Sequence, residues 1–321
     1  MENTLLLLSG IFLEICFGWP KFFLKYISHP VIWIGELIKF IDVNLNKKIY
    51  SHKIKKILGI LSLLLTIMTT LFFFQLITFV FRNLLYVEFF YIFIIWSLMC
   101  PRSLYSHIIN ILNNLEQNDI IKAKKSLSKV VSRDTADLKK KAIVRASLES
   151  LSENTSDAIV APIFWYFLFG IHGLIIFKTI NTLDSMIGYK SKKYFAYGYA
   201  SAKIDDILNI IPSRLTGLIF VLLSSKPIQT FRVMMKNASK SSSPNAGWPE
   251  SAFAGALSIR LGGPKTYNGV SNKDKWLNGK YNDPTVNDFH EGIKLYIKSV
   301  IFIIFIIIIL TIFNYYLETH D

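Results

Sequence analysis

The sequence predicts an all-α, polytopic integral membrane protein: a helical bundle of apolar spans joined by long polar, partly helical loops. Hydrophobic residues make up 52% of its 321 residues, and the mean hydropathy of +0.38 lies well above that of soluble proteins. Several uncharged runs also approach the roughly 20 residues that a helix needs to cross a bilayer. We therefore expect one membrane-embedded domain, residues 1–321, in the cell (inner) membrane as a multi-pass protein.

Six apolar runs mark the predicted spans. The first lacks a basic leader and a cleavage pattern, so we expect it to be retained and not removed as a signal peptide. Pro101 ends the third run because proline cannot continue a helix. The fifth run is weaker, since it contains Pro212 and Arg214. The predicted spans lie near residues 4–19, 59–81, 84–100, 158–180, 207–225 and 299–313.

Three polar segments between these runs, 102–157, 181–206 and 226–296, are too long to be mere connectors, so we expect them to carry function. The formal net charge of +14 comes mainly from loop lysines. Anionic lipid and the positive-inside bias explain that charge, and we expect no nucleic-acid partner. Simple alternation places 181–206 on the opposite side from the other two loops. Either the hairpin 158–225 does not cross fully, or the site lies at depth between helices.

A stripe of charge precedes the fourth span. Arg145, Glu149, Glu153 and Asp157 are four residues apart, so on a helix they lie on one face. Three stacked carboxylates repel one another unless a cation or a donor group shares that face. A solvated helix end is the plainer interpretation. With the neighbouring Asn154, the three acids are nevertheless the candidate catalytic residues.

A second polar cluster follows the span 158–180 directly. It contains Asn181, Asp184 and Ser185. Asparagine, aspartate and serine at this spacing can hold a magnesium ion, but they can equally cap a helix. Spacing alone does not separate these two interpretations.

Two further clusters come later in the chain. The adjacent carboxylates of Asp205 and Asp206 border an apolar run, where repulsion and desolvation are costly unless cations neutralise them. A nearby lysine and Arg214 could do so for purely structural reasons. The stretch 243–250, which contains Asn245, is either an anion-binding loop or a cluster of turns, and its spacing favours turns. The residues alone indicate a membrane enzyme or transporter that handles a magnesium-bound anion.

Seven motifs stand in one order along the chain: Arg133-Asp134-Thr135, Glu153-Asn154-Thr155-Ser156-Asp157, Ala161-Pro162-Ile163-Phe164-Trp165, Asn181-Thr182-Leu183-Asp184-Ser185-Met186-Ile187-Gly188-Tyr189, Asp205-Asp206, Pro212-Ser213-Arg214-Leu215 and Ser243-Pro244-Asn245-Ala246-Gly247-Trp248. In this order they resemble the adenosylcobinamide-phosphate synthase family (CobD/CbiB type), membrane proteins of cobalamin biosynthesis. The resemblance extends from about His29 to Gly263. It departs at Gly18-Trp19-Pro20, where the family usually reads Gly-Asp-Pro, so no acidic role is transferred there.

The resemblance implies an ATP-dependent amide ligase that joins adenosylcobyric acid to (R)-1-amino-2-propanol or its phosphate. A carboxylate is a poor electrophile, so activation as an acyl phosphate is the economical route, with an adenylate as the alternative. Either route needs magnesium and cations around the phosphates. The implied cofactors are ATP and Mg²⁺. The lipid membrane and other enzymes of the corrinoid pathway are further candidate partners.

The resemblance also suggests roles for the candidate residues. The magnesium ligands would be Asp184, Asp205 and Asp206. Glu149, Glu153 and Asp157 would position the amine or a second metal, one of them acting as general base. Arg133, Arg145 and Arg214 would receive carboxylate and phosphate groups. The full cofactor-binding set is Asn181, Asp184, Ser185, Asp205, Asp206, Arg133, Arg145, Arg214 and Asn245.

Two other functions remain alternatives. A membrane prenyltransferase also binds magnesium diphosphate through paired Asp and Asn motifs, but the three acidic clusters here differ in pattern. A corrinoid or cation transporter would place charges within spans, often in two related halves. No such halves are visible in the sequence.

Overall fold

The structure is a computed structural model that describes residues 2–20, 28–82, 87–188, 191, 193–267, 269–272 and 274–320. Most of these residues are helical, and the strands among them are two or three residues long. This confirms the predicted fold class, an all-α membrane protein. The start of the predicted span 84–100 and Tyr189 of the 181–189 motif lie outside the described residues.

The elements follow one another in this chain order: α1 (Glu2–Phe17), α2 (Pro30–Leu45), α3 (His52–Arg82), α4 (Val87–Leu98), α5 (Pro101–Glu116), α6 (Ile120–Leu127), α7 (Lys140–Thr155), a π-helical turn (Ser156–Val160), α8 (Ala161–Ile187), α9 (Tyr199–Leu208), α10 (Ile210–Leu223), α11 (Pro227–Asn237), a 3₁₀ turn (Ala238–Lys240), α12 (Gly247–Ala256), β1 (Leu261–Gly262), β2 (Lys265–Tyr267), β3 (Val270–Asn272), β4 (Trp276–Leu277) and α13 (Val286–His320).

The chain divides into two compact units, each made of discontinuous segments, whereas the sequence predicts a single domain. Unit 1 contains residues 1–100, 161–209 and 308–321, and unit 2 contains residues 101–160 and 210–307. Two of the boundaries could not be recognised from turn-forming residues. The boundary after residue 160 joins a π-helical turn to α8, and the boundary after residue 307 falls inside α13.

Unit 1 is held by apolar packing between α2, α3 and α8. Its core combines Ile34 and Ile38 of α2, Leu63 of α3 and Leu183 of α8 around the buried ring of Tyr197. Backbone contact makes this packing close. A Cβ atom on Gly59 of α3 would lie 1.9 Å from the Tyr197 carbonyl oxygen, so only glycine fits there. The core thus fixes the turn that leads into α9.

Within the part of the chain that the structure describes, four helical stretches are long and apolar enough to cross a membrane: His52–Arg82, Val87–Glu116, Lys140–Ile187 and Val286–His320. The weak span predicted at 207–225 is a pair of helices, α9 and α10, bent by 45° where they meet. Proline is tolerated in the first turn of a helix, which places Pro212 in α10 just after the bend. α1 is an apolar helix of 16 residues. The six-span count stays a prediction.

Unit 2 contains two of the three polar segments, 102–157 and 226–296, whereas 181–206 belongs to unit 1. The predicted loop 102–157 is largely helical, as α5, α6 and α7, and 226–296 contains α11, α12 and two small hairpins. In the hairpins β1 pairs with β4 and β2 pairs with β3, both antiparallel. The rings of Phe220 and Phe253 pack edge to face, with centroids 4.9 Å apart, and join α10 to α12. This packing supports the charged groups described next.

Candidate functional site

The carboxylate of Glu149 is the centre of a buried ionic cluster in unit 2. It accepts hydrogen bonds from Arg133 Nη2 and, at 2.7 Å, from the Gly262 backbone N–H. Lys265 Nζ lies 3.2 Å from Oε2, the oxygen that Arg133 also contacts. Only 3% of the Glu149 side chain is exposed. Cations and a backbone donor therefore share the acidic face of α7, as the sequence required for such a stripe.

Glycine at position 262 makes the backbone donation possible. Its φ of +71° lies in the left-handed region, and a Cβ atom there would lie 2.8 Å from the Lys275 carbonyl oxygen. Gly262 belongs to β1, which pairs with β4 across the same short hairpin. The β1–β4 pairing thus aims an N–H group at Glu149.

A cavity of about 110 Å³ opens beside this cluster. Glu153, one turn along α7 from Glu149, lines it together with Glu250 of α12 and Tyr267 of β2. Among the described residues, neither Glu153 nor Glu250 has a cation within 4 Å. The cavity is lined by Val130, Val131, Ser132, Arg133, Glu149, Ser150, Glu153, Glu250, Lys265 and Tyr267.

Burial changes the ionisation of two groups around this cavity. The pKa of Glu250 is raised to about 8, chiefly by desolvation; Lys265 and Arg133 act to lower it, and the neighbouring Glu149 and Glu153 carboxylates act to raise it. Burial alone would lower the pKa of Lys265, but Glu149 and Glu250 outweigh it and raise that pKa. At neutral pH the cavity therefore holds a protonated carboxyl group next to an ammonium ion.

The β2–β3 hairpin, which carries Lys265 and Tyr267, is tied to the segment before α7. The Asp134 N–H donates to the Thr266 carbonyl at 2.9 Å, and the Gly269 N–H donates to Asp134 Oδ2 at 2.8 Å. The Arg133-Asp134 pair thus serves both the cluster and the hairpin. Arg133 binds Glu149 while its neighbour fixes the strand that supplies Lys265.

Two of the predicted catalytic residues do not line this cavity. Asn154 donates its amide to the carbonyl and the hydroxyl oxygens of Ser150, at 2.8 and 3.1 Å. Asp157 lies in the π-helical turn, whose wider winding takes it out of the four-residue stripe. Glu149 and Glu153 line the cavity, whereas catalytic roles for Asn154 and Asp157 remain predictions.

Arg145, whose Nε lies 3.9 Å from Glu149 Oε1, also belongs to a second ionic group. Its Nη1 lies 2.6 Å from Asp283 Oδ1, and Arg260 Nη2 lies 2.8 Å from the other oxygen. Both guanidinium groups stack on the Trp276 ring, 4.8 and 4.2 Å from its centroid. Hydrogen bonds from Arg260, more than those from Arg145, lower the pKa of Asp283. Arg145 thus braces the segment around β4, and substrate binding by it stays a prediction.

Arg214 and Asn245 come together, although 31 residues separate them. Arg214 Nη1 donates to Asn245 Oδ1 at 3.1 Å, and its guanidinium lies 4.5 Å from the Trp248 ring centroid. The Ser243 hydroxyl accepts from the Asn245 and Ala246 N–H groups, which forms a turn leading into α12. Those two N–H groups are thus occupied, as the turn interpretation of 243–250 predicts.

In unit 1 the second and third predicted clusters converge on Asp205. Asn181 Nδ2 donates to one carboxylate oxygen at 3.3 Å and Asn209 Nδ2 to the other at 3.0 Å. Asp184 is close enough to interact electrostatically with Asp205. A Cβ atom on Gly188 would lie 1.9 Å from Asp184 Oδ1, so this glycine gives that carboxyl its space.

The predicted magnesium ligands differ in their surroundings. Asp205 is buried, whereas Asp206 pairs with Lys203 at 3.7 Å and Ser185 is exposed at the end of α8. Within the described parts of the chain, no three His, Cys, Asp or Glu side chains are grouped as metal ligands. Magnesium is usually held by one or two carboxylates plus phosphate oxygens and water, so a smaller set suffices. The Asn209 Oδ1 atom is buried without a hydrogen-bond partner, which fits a nearby cation.

Several residues of these clusters were not predicted. Glu250, Lys265, Tyr267 and Gly262 lie more than 90 residues from Glu149 in sequence, and no local spacing links them to it. Asn209 did carry a signal, since it follows Asp205 by four residues on a helical segment and thus shares its face. The two clusters belong to different compact units, so their assembly into one site stays a prediction.

Comparison with known proteins assigns the family. A model of the CobD/Cbib protein family matches residues 7–296. The chain belongs to this family. Curated CobD/Cbib relatives include proteins named cobalamin biosynthesis protein CobD. That of Rhodobacter capsulatus is 38% identical over 93% of this chain and 94% of its own length. That of Pelobacter propionicus is 37% identical over 84% of this chain and 83% of its own length. That of Clostridium tetani is 32% identical over 96% of this chain and 98% of its own length. No solved structure matches the chain.

Proposed function

We propose that this chain is an ATP-dependent carbon–nitrogen ligase of cobalamin biosynthesis, which joins adenosylcobyric acid to (R)-1-amino-2-propanol or its phosphate. Membership of the CobD/Cbib family supports the pathway, and the cavity in unit 2 supports the reaction. The observation that carries the proposal is a protonated Glu250 beside Glu153, Lys265 and Arg133 in one small polar cavity. Acids and cations of this kind suit the union of an amine with an activated carboxyl group.

Amide formation needs a neutral amine, because an ammonium nitrogen has no electron pair to donate. A general base works best when its pKa lies near the working pH. The pKa of about 8 for Glu250 meets this requirement, and its deprotonated form would take the ammonium proton. The nitrogen then attacks the activated carbonyl carbon, the C–N bond forms, and phosphate (or AMP, from an adenylate) leaves with the C–O electron pair.

The other groups of the cavity have separate tasks in this proposal. Lys265 and Arg133 stabilise the negative charge that develops on the carbonyl oxygen. Glu153 holds the incoming ammonium group. Glu149 is already bound to cations and to a backbone N–H, so it positions Lys265 and Arg133 and does not act as the base. The proposed base is therefore Glu250. It is not one of the three acids, Glu149, Glu153 and Asp157, among which the sequence left the base open.

Nucleotide binding is assigned to the cluster in unit 1. Asp205 and Asp184, with the unpartnered Asn209 Oδ1, would hold Mg²⁺, which supplies charge neutralisation of the phosphates when bound. Oxygen donors of this type match the preference of magnesium. Asn181 orients Asp205 through its amide. Arg214 with Asn245 in unit 2 remains a candidate for phosphate or substrate carboxylate.

The apolar helices make this a membrane protein, and we assign it to the cell (inner) membrane. The test of the function uses purified protein with magnesium, ATP, adenosylcobyric acid and either amine, and separates the corrinoid products by mass. We expect adenosylcobinamide or its phosphate to form only with all components present. Failure of both amines to give a corrinoid amide, in protein that retains its helical circular dichroism, would reject the ligase.

A further inference from the structure

A second, larger cavity of about 790 Å³ lies along α11, in unit 2. Its lining shares no residue with the Glu250 cavity. Five basic side chains surround it, and no acidic one does: Lys226, Arg232, Lys236, Lys240 and Lys280. A concave surface with this charge concentrates anions, because the field of several cations adds up inside it.

These cations have no acidic partners within the part of the chain that the structure describes. Four other lysines do pair with a carboxylate three residues away, in Glu36–Lys39, Asp119–Lys122, Asp206–Lys203 and Glu291–Lys294. Arg232 and Lys236 instead stand four residues apart on α11, where like charges destabilise a helix by about 0.2–0.5 kcal/mol. The row therefore carries a small repulsion, which an anion in the cavity would relieve.

Part of the cavity wall is pre-formed. The buried amide oxygen of Asn237 accepts from Lys240 Nζ at 2.7 Å and from the Asn278 N–H at 3.2 Å. Asn278 in turn donates its amide to the carbonyls of Ala254 and Ile259, at 3.1 and 3.0 Å. This network holds Lys240 and the segment of Lys280 in place before a ligand arrives.

The outer surface of α11 indicates where such an anion would come from. Ile228, Phe231 and Met235 are 70%, 43% and 52% exposed, beside the basic row. α11 also begins four residues after α10, the second helix of the bent apolar pair. A helix with an apolar stripe and a row of cations is typical of the headgroup layer of an anionic membrane.

We propose that the α11 cavity is a binding site for a phosphate-bearing anion, bound by the row Arg232, Lys236 and Lys240 and closed by Lys226 and Lys280. The phosphate belongs either to the headgroup of an anionic phospholipid, which the apolar stripe favours, or to a soluble polyphosphate. Lysine and arginine bind phosphate through charge-assisted hydrogen bonds, which are stronger than neutral ones. The site is separate from the proposed amide-forming cavity.

The test measures dissociation constants of the full-length protein in phosphatidylcholine nanodiscs. The lipid probe is short-chain phosphatidylglycerol, with short-chain phosphatidylcholine as its neutral counterpart, and the soluble probe is tripolyphosphate. The variant Arg232→Gln/Lys236→Gln/Lys240→Gln removes the row. Its control, Lys39→Gln/Lys122→Gln/Lys294→Gln, removes the same charge from three acid-paired positions. A second variant, Lys226→Gln/Lys280→Gln, changes the other side of the cavity in case the first fails to fold.

We expect wild type and control to bind at least one phosphate probe, and either cavity variant to bind it at least about tenfold more weakly. Binding of phosphatidylglycerol alone identifies a lipid headgroup, and binding of tripolyphosphate identifies a soluble ligand. The proposal is overturned if folded cavity variants bind as tightly as the control, or if wild type binds neither probe at physiological salt.

Discussion

Three carboxyl groups share one buried site with two cations in unit 2, and their neighbours give them different tasks. Glu149 receives Arg133, Lys265 and a backbone N–H, so its charge is balanced where it stands. Glu250 has no ion pair within 4 Å among the described residues, and burial therefore dominates its ionisation. Among the described residues, Glu250 shares this lack of an ion pair with Glu153, and Glu250 is the one of the two that we propose as the base.

The raised pKa of Glu250 predicts how stability depends on pH. The folded protein keeps this proton up to about pH 8, whereas the unfolded chain releases it near 4.5. Stability should therefore fall as the pH rises through this window and level off above it. Glu250→Gln should remove that part of the slope, which unfolding midpoints between pH 5 and 9 in detergent would show. Glu36→Gln, at an exposed acid, serves as the control and should keep the wild-type slope. If Glu250→Gln also keeps the wild-type slope, the raised pKa assigned to Glu250 is wrong.

Loss of Lys265 should destabilise the fold strongly. Removing one partner of a buried ionic cluster leaves uncompensated charge, which typically costs about 3–5 kcal/mol. We expect Lys265→Met to reach the low end of that range, because 14% of its side chain remains exposed. Lys275→Met, an exposed lysine beside β4, should change the free energy of unfolding very little. Equal effects of the two substitutions would mean that Lys265 does not balance the acids.

At the scale of elements, short irregular pieces position the site on regular helices. The β1–β4 hairpin supplies one N–H group and the β2–β3 hairpin supplies Lys265, while α7 and α12 carry the acids. The π-helical turn after α7 then separates Asp157 from the stripe. The geometry of the cavity therefore depends on backbone conformations that few residue types can adopt.

Substitutions at two glycines of this region can distinguish the cost of backbone strain from the cost of a steric clash. Gly262 and Gly269 both have positive φ. A Cβ atom at Gly262 would lie 2.8 Å from the Lys275 carbonyl oxygen, whereas a Cβ atom at Gly269 would have no neighbour within 4 Å. Gly269→Ala should cost about 1–2 kcal/mol, the price of that backbone conformation. Gly262→Ala should cost clearly more and reduce ligase activity, since it also shifts the donor to Glu149. Equal losses of stability would show that the Gly262 contact is unimportant.

The sequence predicted the elements better than the contacts. Apolar runs and helical spacing predict helices and the acidic stripe, because both are local properties of the chain. The sequence did not link Lys265 and Glu250 to Glu149, because both lie more than 100 residues after it and the hairpin that carries Lys265 is too short to show a strand pattern. The convergence of Asn181 and Asp205 was expected only from the family resemblance, and spacing could not show it.

At the scale of the whole molecule, the proposed reaction divides between two compact units. Asp184 and Asp205 belong to unit 1, whereas Glu153, Glu250 and Lys265 belong to unit 2. The chain passes between the units four times, after residues 100, 160, 209 and 307, and the second and fourth crossings lie in the apolar stretches Lys140–Ile187 and Val286–His320. Activation of the carboxyl group and formation of the amide should therefore respond to different substitutions.

The most direct test of this division measures nucleotide cleavage and amide formation in the same reaction, for wild type, Asp205→Asn and Glu250→Gln. We expect Asp205→Asn to lose both activities, because the nucleotide is no longer held for activation. Glu250→Gln should retain cleavage of ATP that depends on adenosylcobyric acid but form amide at least about 100-fold more slowly, the lower range for loss of a general base. If folded Asp205→Asn keeps both activities, or Glu250→Gln forms amide at the wild-type rate, the account is wrong.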